Sequence, residues 1–127
     1  MTGRKIGSYA ALLTVLLLPA CMTAPQGPPT VDVSGTWIGT WNAPGADEGT
    51  VRMQLQQKDG QVSGTLQVTG NTTGNPSGRL EGVVAGNVFS FRVPNDPLSG
   101  DLTVAGDAMT GTGNRNTLWY FALGRQR

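Results

Sequence analysis

Few residues in this chain are able to do chemistry. It has no His and a single Cys, Cys21. That rules out Ser-His-Asp and Cys-His nucleophilic machinery, zinc sites built on His or several Cys, and an intrachain disulfide. The remaining candidates are the carboxylates of Asp32, Asp47, Glu48, Asp59, Glu81, Asp96, Asp101 and Asp107. A glycosidase-type pair needs two inward carboxylates at a set separation. Most of these fall in turn sequences, and strand alternation directs Glu81 and Asp101 outward. Calcium would need an Asp-x-Asp-x-Asp-Gly loop, which the chain lacks, and Gly111-Thr112-Gly113 is not followed by the helix that a phosphate-binding loop requires. No catalysis, metal or cofactor is expected.

The aromatic residues offer more. Trp37, Trp41, Phe89, Phe91, Trp119 and Phe121 fall, with Met53, on the faces that alternation turns inward. Such a set suits a cup for a small apolar ligand or a lipid. Together with Val51, Leu55, Leu66, Val68, Leu80 and Val84 it equally suits a packed core.

The elements that must position these residues are strands. Glycine is abundant, at 19 residues, and only 13% of residues are charged, which fits a turn-rich β domain better than a helical bundle. No amphipathic helical spacing appears after Val33, whereas period-two alternation recurs. Strands are predicted around Trp37–Trp41, Val51–Leu55, Val62–Val68, Leu80–Val84, Phe89–Val93, Gly100–Val104, Met109–Gly111 and Thr117–Leu123. Asp59-Gly60 supplies the positive φ angles of a two-residue turn, Gly86-Asn87 and Gly106-Asp107 serve as further turns, and 42–50 and 70–77 read as loops. The expected fold is all-β, an eight-stranded antiparallel up-and-down barrel. Gly39, Gly64, Gly82, Gly100 and Gly111 share its inner face, where they either bend the wall or leave space for a ligand. Val33-Ser34-Gly35-Thr36, Val62-Ser63-Gly64-Thr65 and Met109-Thr110-Gly111-Thr112 repeat one pattern at unequal spacing, as strands solving the same local problem would.

Before this domain, Arg4 and Lys5 precede an apolar run from Ile6 to Leu18, and then comes Leu18-Pro19-Ala20-Cys21. Thirteen residues are too few to span a bilayer, which takes about 20. The order of basic, apolar and small residues matches a secretory signal over 1–20. Its end resembles the lipobox of bacterial lipoproteins. That resemblance implies cleavage before Cys21, diacylglycerol on its thiol and a fatty acid such as palmitate on its new amine. Two or more acyl chains anchor stably. The expected location is therefore the bacterial cell envelope, on the outer membrane by virtue of Met22 after the Cys. Residues 21–32 form the lipidated Cys and a Pro-rich tether, of which Met22–Thr30 reaches up to about 28 Å in polyproline form. The barrel domain takes 33–127. Removing Arg4 and Lys5 leaves seven basic residues, scattered, against eight acidic ones, so no nucleic-acid partner is expected.

In the mature domain, Ser34-Gly35-Thr36-Trp37, Asp59-Gly60 before Val62-Ser63-Gly64-Thr65, and Asn116-Thr117-Leu118-Trp119 resemble the avidin-like barrels of the calycin group. That family carries a Tyr where this chain has Leu66 and a further Trp where it has Phe89 and Phe91, so biotin is not the expected ligand. On the same alignment Asn116–Trp119 belongs to the family's seventh strand, which would leave the last one missing. Two functions fit these readings. One is an anchored lipoprotein binding an apolar small molecule or lipid inside the barrel. The other is a protein-interaction or inhibitor module, directed at an envelope protein, a lysozyme or a protease, that acts through loops 42–50 and 70–77.

Overall fold

The computed structural model describes residues 27–45, 47–70 and 75–127, and the signal segment and Cys21 lie outside them. Eight strands follow one another: β1 (Gly35–Ala43), β2 (Asp47–Lys58), β3 (Gln61–Gly70), β4 (Ser77–Ala85), β5 (Val88–Arg92), β6 (Ser99–Ala105), β7 (Ala108–Asn114) and β8 (Leu118–Arg125). Each pairs antiparallel with the next, and β8 pairs with β1 to close the barrel. Closure leaves no sheet edge to cover. Strand alternation sorts the residues cleanly. Every inward large side chain is apolar, and no polar or charged residue is buried among the described residues. The outward positions carry Arg52, Gln54, Lys58, Thr65, Gln67 and their like. A bilayer-spanning barrel needs the reverse, an apolar band outside.

The turns set the register. Asp59-Gly60 joins β2 to β3, pairing Lys58 with Gln61 and Leu55 with Gly64. Of that pair it is Asp59 that takes the positive φ, 57°, rather than both residues as expected. Gly60 is needed for close approach instead, since a Cβ there would lie 3.2 Å from the Val84 carbonyl oxygen, and the Gly60 carbonyl accepts from Val84 N–H at 2.8 Å. Gly86 and Gly106 open the other two tight turns.

Four sequence expectations change. Residues 42–50 are mostly strand, because Asn42 pairs with Glu48 and Ala43 with Asp47. Asn116-Thr117 precedes β8, not a seventh strand, and no strand is missing. The repeated Ser/Thr-Gly-Thr pattern serves two purposes: Gly35 opens β1 at φ 129°, whereas Gly64 and Gly111 sit mid-strand facing inward. Finally, the expected tether is seated on the barrel from Pro28 onward. Thr30 N–H donates to the Gly86 carbonyl at 2.8 Å and Gly86 N–H to the Pro28 carbonyl at 3.2 Å, which makes a short parallel bridge at Pro29. Gln57 fastens this strap further. Its Nε2 donates to the Val31 carbonyl (3.1 Å) and its Oε1 accepts from Val33 N–H (2.9 Å).

The strap enters at the end bearing the three tight turns, where fully buried Val33 closes the barrel. The opposite end, the rim, carries Pro44, Gly45, Asn75, Pro76 and the connections 93–98 and 115–117. Buried Val93 and Leu98 close it. The Asp96 carboxylate caps Leu98 N–H at 2.9 Å and takes a two-pronged grip from Arg115 (2.9 and 3.0 Å), tying two rim connections together.

The inward glycines decide how tightly the wall coils. A Cβ at Gly39 would fall on the Ala122 carbonyl, at Gly64 on that of Gln54, and at Gly111 on that of Asp101. They therefore allow strands to approach and bend, and leave no ligand space. Gly124 is different, with its nearest neighbour at an ordinary 3.8 Å. Urea denaturation should show Gly39→Ala losing about 1–3 kcal/mol or more, as forced overpacking does. Gly124→Ala should be neutral or gain up to about 1 kcal/mol. Equal losses at both positions would contradict this account.

Candidate functional site

The seven residues expected to line a ligand cup, Trp37, Trp41, Met53, Phe89, Phe91, Trp119 and Phe121, all lie inside the barrel and are no more than 4% exposed. Their neighbours are mainly one another. The Trp41 and Trp119 rings stack with centroids 4.1 Å apart, and Trp119 meets Phe121 at 5.9 Å. Phe121 meets Phe91 edge-on at 5.9 Å, and Phe91 meets Phe89 at 5.7 Å. Each such contact adds about 0.5–1.5 kcal/mol beyond area burial. This ladder runs from Trp41, near the rim end of β1, to Phe89, near the tight-turn end of β5, and Trp37 and Met53 are cross-strand partners on β1 and β2.

The glycines of adjacent strands make room for the rings. Phe91 lies between Gly82 and Gly100, Phe121 beside Gly111, Trp119 beside Gly113 and Trp41 beside Gly49. A Cβ at Gly100 would stand 2.8 Å from the Phe91 ring, and at Gly113 2.8 Å from that of Phe121. Gly49 and Gly113 were missing from the expected inner-face set. The signal for them was their spacing of two from inward Val51 and Gly111.

Two of the three interior indoles, those of Trp37 and Trp41, donate to backbone carbonyls. Trp37 Nε1 donates to the Val33 carbonyl at 2.9 Å, and Trp41 Nε1 to the Thr69 carbonyl at 3.0 Å. A ligand would have to displace these bonds, each worth about 1 kcal/mol net. Over Trp37 sits the Arg125 guanidinium, 4.5 Å from the ring centre, whose Nη1 donates to the Ser34 carbonyl at 2.7 Å. Asp107 holds Arg125 in place at 2.9 Å and also pairs with Arg127. Those bonds, Arg127 first and then Arg125, keep the Asp107 carboxyl below the usual carboxylate range. Backbone and side-chain hydrogen bonds from Ser34 do the same for Asp32.

Open space lies outside the wall. One groove of about 560 Å³ crosses β1–β4 between Thr36, Gln54, Gln56, Thr65 and Arg79. Another, of about 450 Å³, crosses β5–β8 between Ser90, Arg92, Ser99, Asp101 and Asn114, with Leu118 at its margin. Most of the residues that line them are polar, but more of the surface exposed there is apolar. Glu81 and Asp101 face outward, and Glu81 pairs with Arg92 at 2.7 Å. Comparison with protein-family models, with curated proteins and with solved structures finds no match to this chain.

Two outcomes are expected. Tryptophan emission should be blue-shifted, resistant to acrylamide and unchanged by biotin, fatty acid or phospholipid; saturable quenching by any of these would show an interior able to open. In acid, the ionised form of Asp107 is favoured by folding. Its contribution is present above the unfolded-state value, about pH 4, and is lost as pH falls through the lower folded one. Asp107→Asn should flatten that part of the acid limb in urea midpoints measured from pH 5 to 2.5, and an unaltered limb would discount the clamp.

Proposed function

We propose that this protein is a non-catalytic lipoprotein of the bacterial envelope, anchored through acylated Cys21, whose barrel acts as an interaction or inhibitor module through its outer surface. The observation that carries this reading is the state of the interior. Aromatic rings pack against one another through it, Val33 and Leu98 stopper its two ends, and the indole N–H groups of Trp37 and Trp41 are already bonded. A barrel built to take a small apolar ligand leaves apolar area for it. Here that area is spent on the fold.

Anchorage gives the barrel a posture. With the strap bonded from Pro28, only Met22–Gly27 separates the acylated Cys from the barrel, up to about 19 Å in polyproline form. The tight-turn end then faces the bilayer and the rim faces away. Partners meet the rim and the side wall.

The test has two parts. The wild-type chain should fractionate with membranes and yield an acylated peptide beginning at Cys21, while Cys21→Ser should be released; identical fractionation refutes the anchor. Native mass spectrometry of the protein extracted in mild detergent should give the mass of the acylated chain alone. A stoichiometric small molecule retained in the barrel would overturn the outer-surface reading in favour of a ligand carrier.

A further inference from the structure

The larger outer groove, of about 560 Å³, crosses four consecutive strands, and the register fixes what lines it. Thr36, Gln54, Thr65 and Arg79 form one row from β1 to β4, each opposite the next. Gln56 and Ser63 form the next outward row toward the tight turns. Between the rows lie Gly35, Leu55 and Gly64, again each opposite the next. The lining side chains are hydroxyls and amides on short carbon stems, which is how a groove of polar residues comes to expose more apolar than polar surface.

The cations of the barrel divide by position. Ion pairs among the described residues take up Arg92, Arg115, Arg125 and Arg127. Arg52, Lys58 and Arg79 take part in none, and all three are exposed on β2 and β4. Arg79 lines the groove itself. Along β2 the outward order is Arg52, Gln54, Gln56, Lys58, so the two glutamines of the groove stand between two cations. No carboxylate lines this groove, and Glu81, opposite Ser63, is held by Arg92. The second groove, by contrast, contains Asp101 and only the paired Arg92.

We infer that the β1–β4 groove is the binding site for an acidic polysaccharide, a chain of sugars bearing carboxylates. The inference rests on the outer-surface reading above. Sugar rings present C–H faces and hydroxyl edges together, which suits a groove of carbon stems tipped with hydrogen-bonding groups. The Gln54 and Gln56 amides each donate and accept at once, and the Ser63 and Thr65 hydroxyls do the same, so every sugar hydroxyl can be matched whichever way it points. Arg79 supplies the planar fork that grips a carboxylate with two parallel hydrogen bonds. Arg52 and Lys58 add attraction along the chain on either side. A nucleic acid would use the cations but would look for an aromatic ring on which to stack its bases, and none lines the groove.

Binding of the full acylated chain, extracted in mild detergent, to polygalacturonate and to hyaluronate tests this, with dextran, poly-L-glutamate and oligodeoxythymidylate as controls. Saturable binding to at least one of the two acidic polysaccharides is expected, about tenfold tighter than to any control and weakening with salt. Arg79→Gln should weaken it about fivefold or more, and so should Gln54→Ala combined with Thr65→Ala, in variants whose thermal melts match the parent. Thr110→Glu changes the net charge by as much as Arg79→Gln but lies on β7, across the barrel from β3, and should shift the affinity by less than about twofold. Binding to neither polysaccharide, equal binding to a control, or a loss in Thr110→Glu that matches Arg79→Gln overturns the inference. The native mass measurement keeps the two readings apart. The acylated chain alone, without polysaccharide binding, overturns this groove and leaves the outer-surface reading standing; a small molecule retained in the barrel overturns the outer-surface reading itself.

Discussion

The structure depends on the fit of large rings beside absent side chains. An eight-stranded barrel has an interior just wide enough to be filled by side chains. This one holds a continuous ladder of five aromatic rings, Trp41, Trp119, Phe121, Phe91 and Phe89. They can be accommodated because the neighbouring strands place glycine next to most of them, as with Phe91 between Gly82 and Gly100. The same glycines let strands bend until one backbone nearly touches the next. Curvature and filling are therefore one solution, and the register that the turns set is what keeps rings and glycines opposite one another.

Placing all the bulk inside leaves the variation in chemistry to the outer wall. Inside, the Trp37 and Trp41 indole N–H groups are spent on backbone carbonyls, and both ends of the barrel are stoppered. Its ends are closed by elements outside the strands, the strap at one and the Val93–Leu98 connection at the other. What varies from strand to strand is the outer wall: mixed charge on β2, hydroxyls and amides on β3, and the apolar stripe of β8.

Much of the fold was legible in the residue pattern. Alternation identified eight strands, and Asp59-Gly60 fixed the β2–β3 register to the residue. The inward set of six aromatics followed from the same period of two. What was not legible depends on contacts distant in sequence. Residues 42–50 looked like a loop because Asn, Pro, Gly and Asp favour turns, yet pairing across Asn42–Glu48 overrides that preference. The Pro-rich segment read as a free tether because nothing in Pro28–Val31 reveals that Gly86 and the Gln57 side chain will hold it. Nor does composition say whether aromatics face each other or a void. That depends on the glycines opposite the rings on adjacent strands, so the residue pattern by itself carries both the ligand cup and the packed core.

The seam between β1 and β8 has a consequence for synthesis. Seven of the eight strand pairings join consecutive strands, while the eighth joins the first to the last, and Arg125 bonds Ser34 across 91 residues. As the chain emerges in order from any pore, hairpins can form and dissolve locally, but β1 has no outer partner until β8 arrives. The aromatic ladder is divided in the same way, with Trp41 waiting on one strand for Trp119 and Phe121 on the last. Cooperative folding is thus deferred to the end of emergence. Any pore that carries only extended chain would find this polypeptide threadable until its final residues, and closure of the seam afterwards would make its passage one-way.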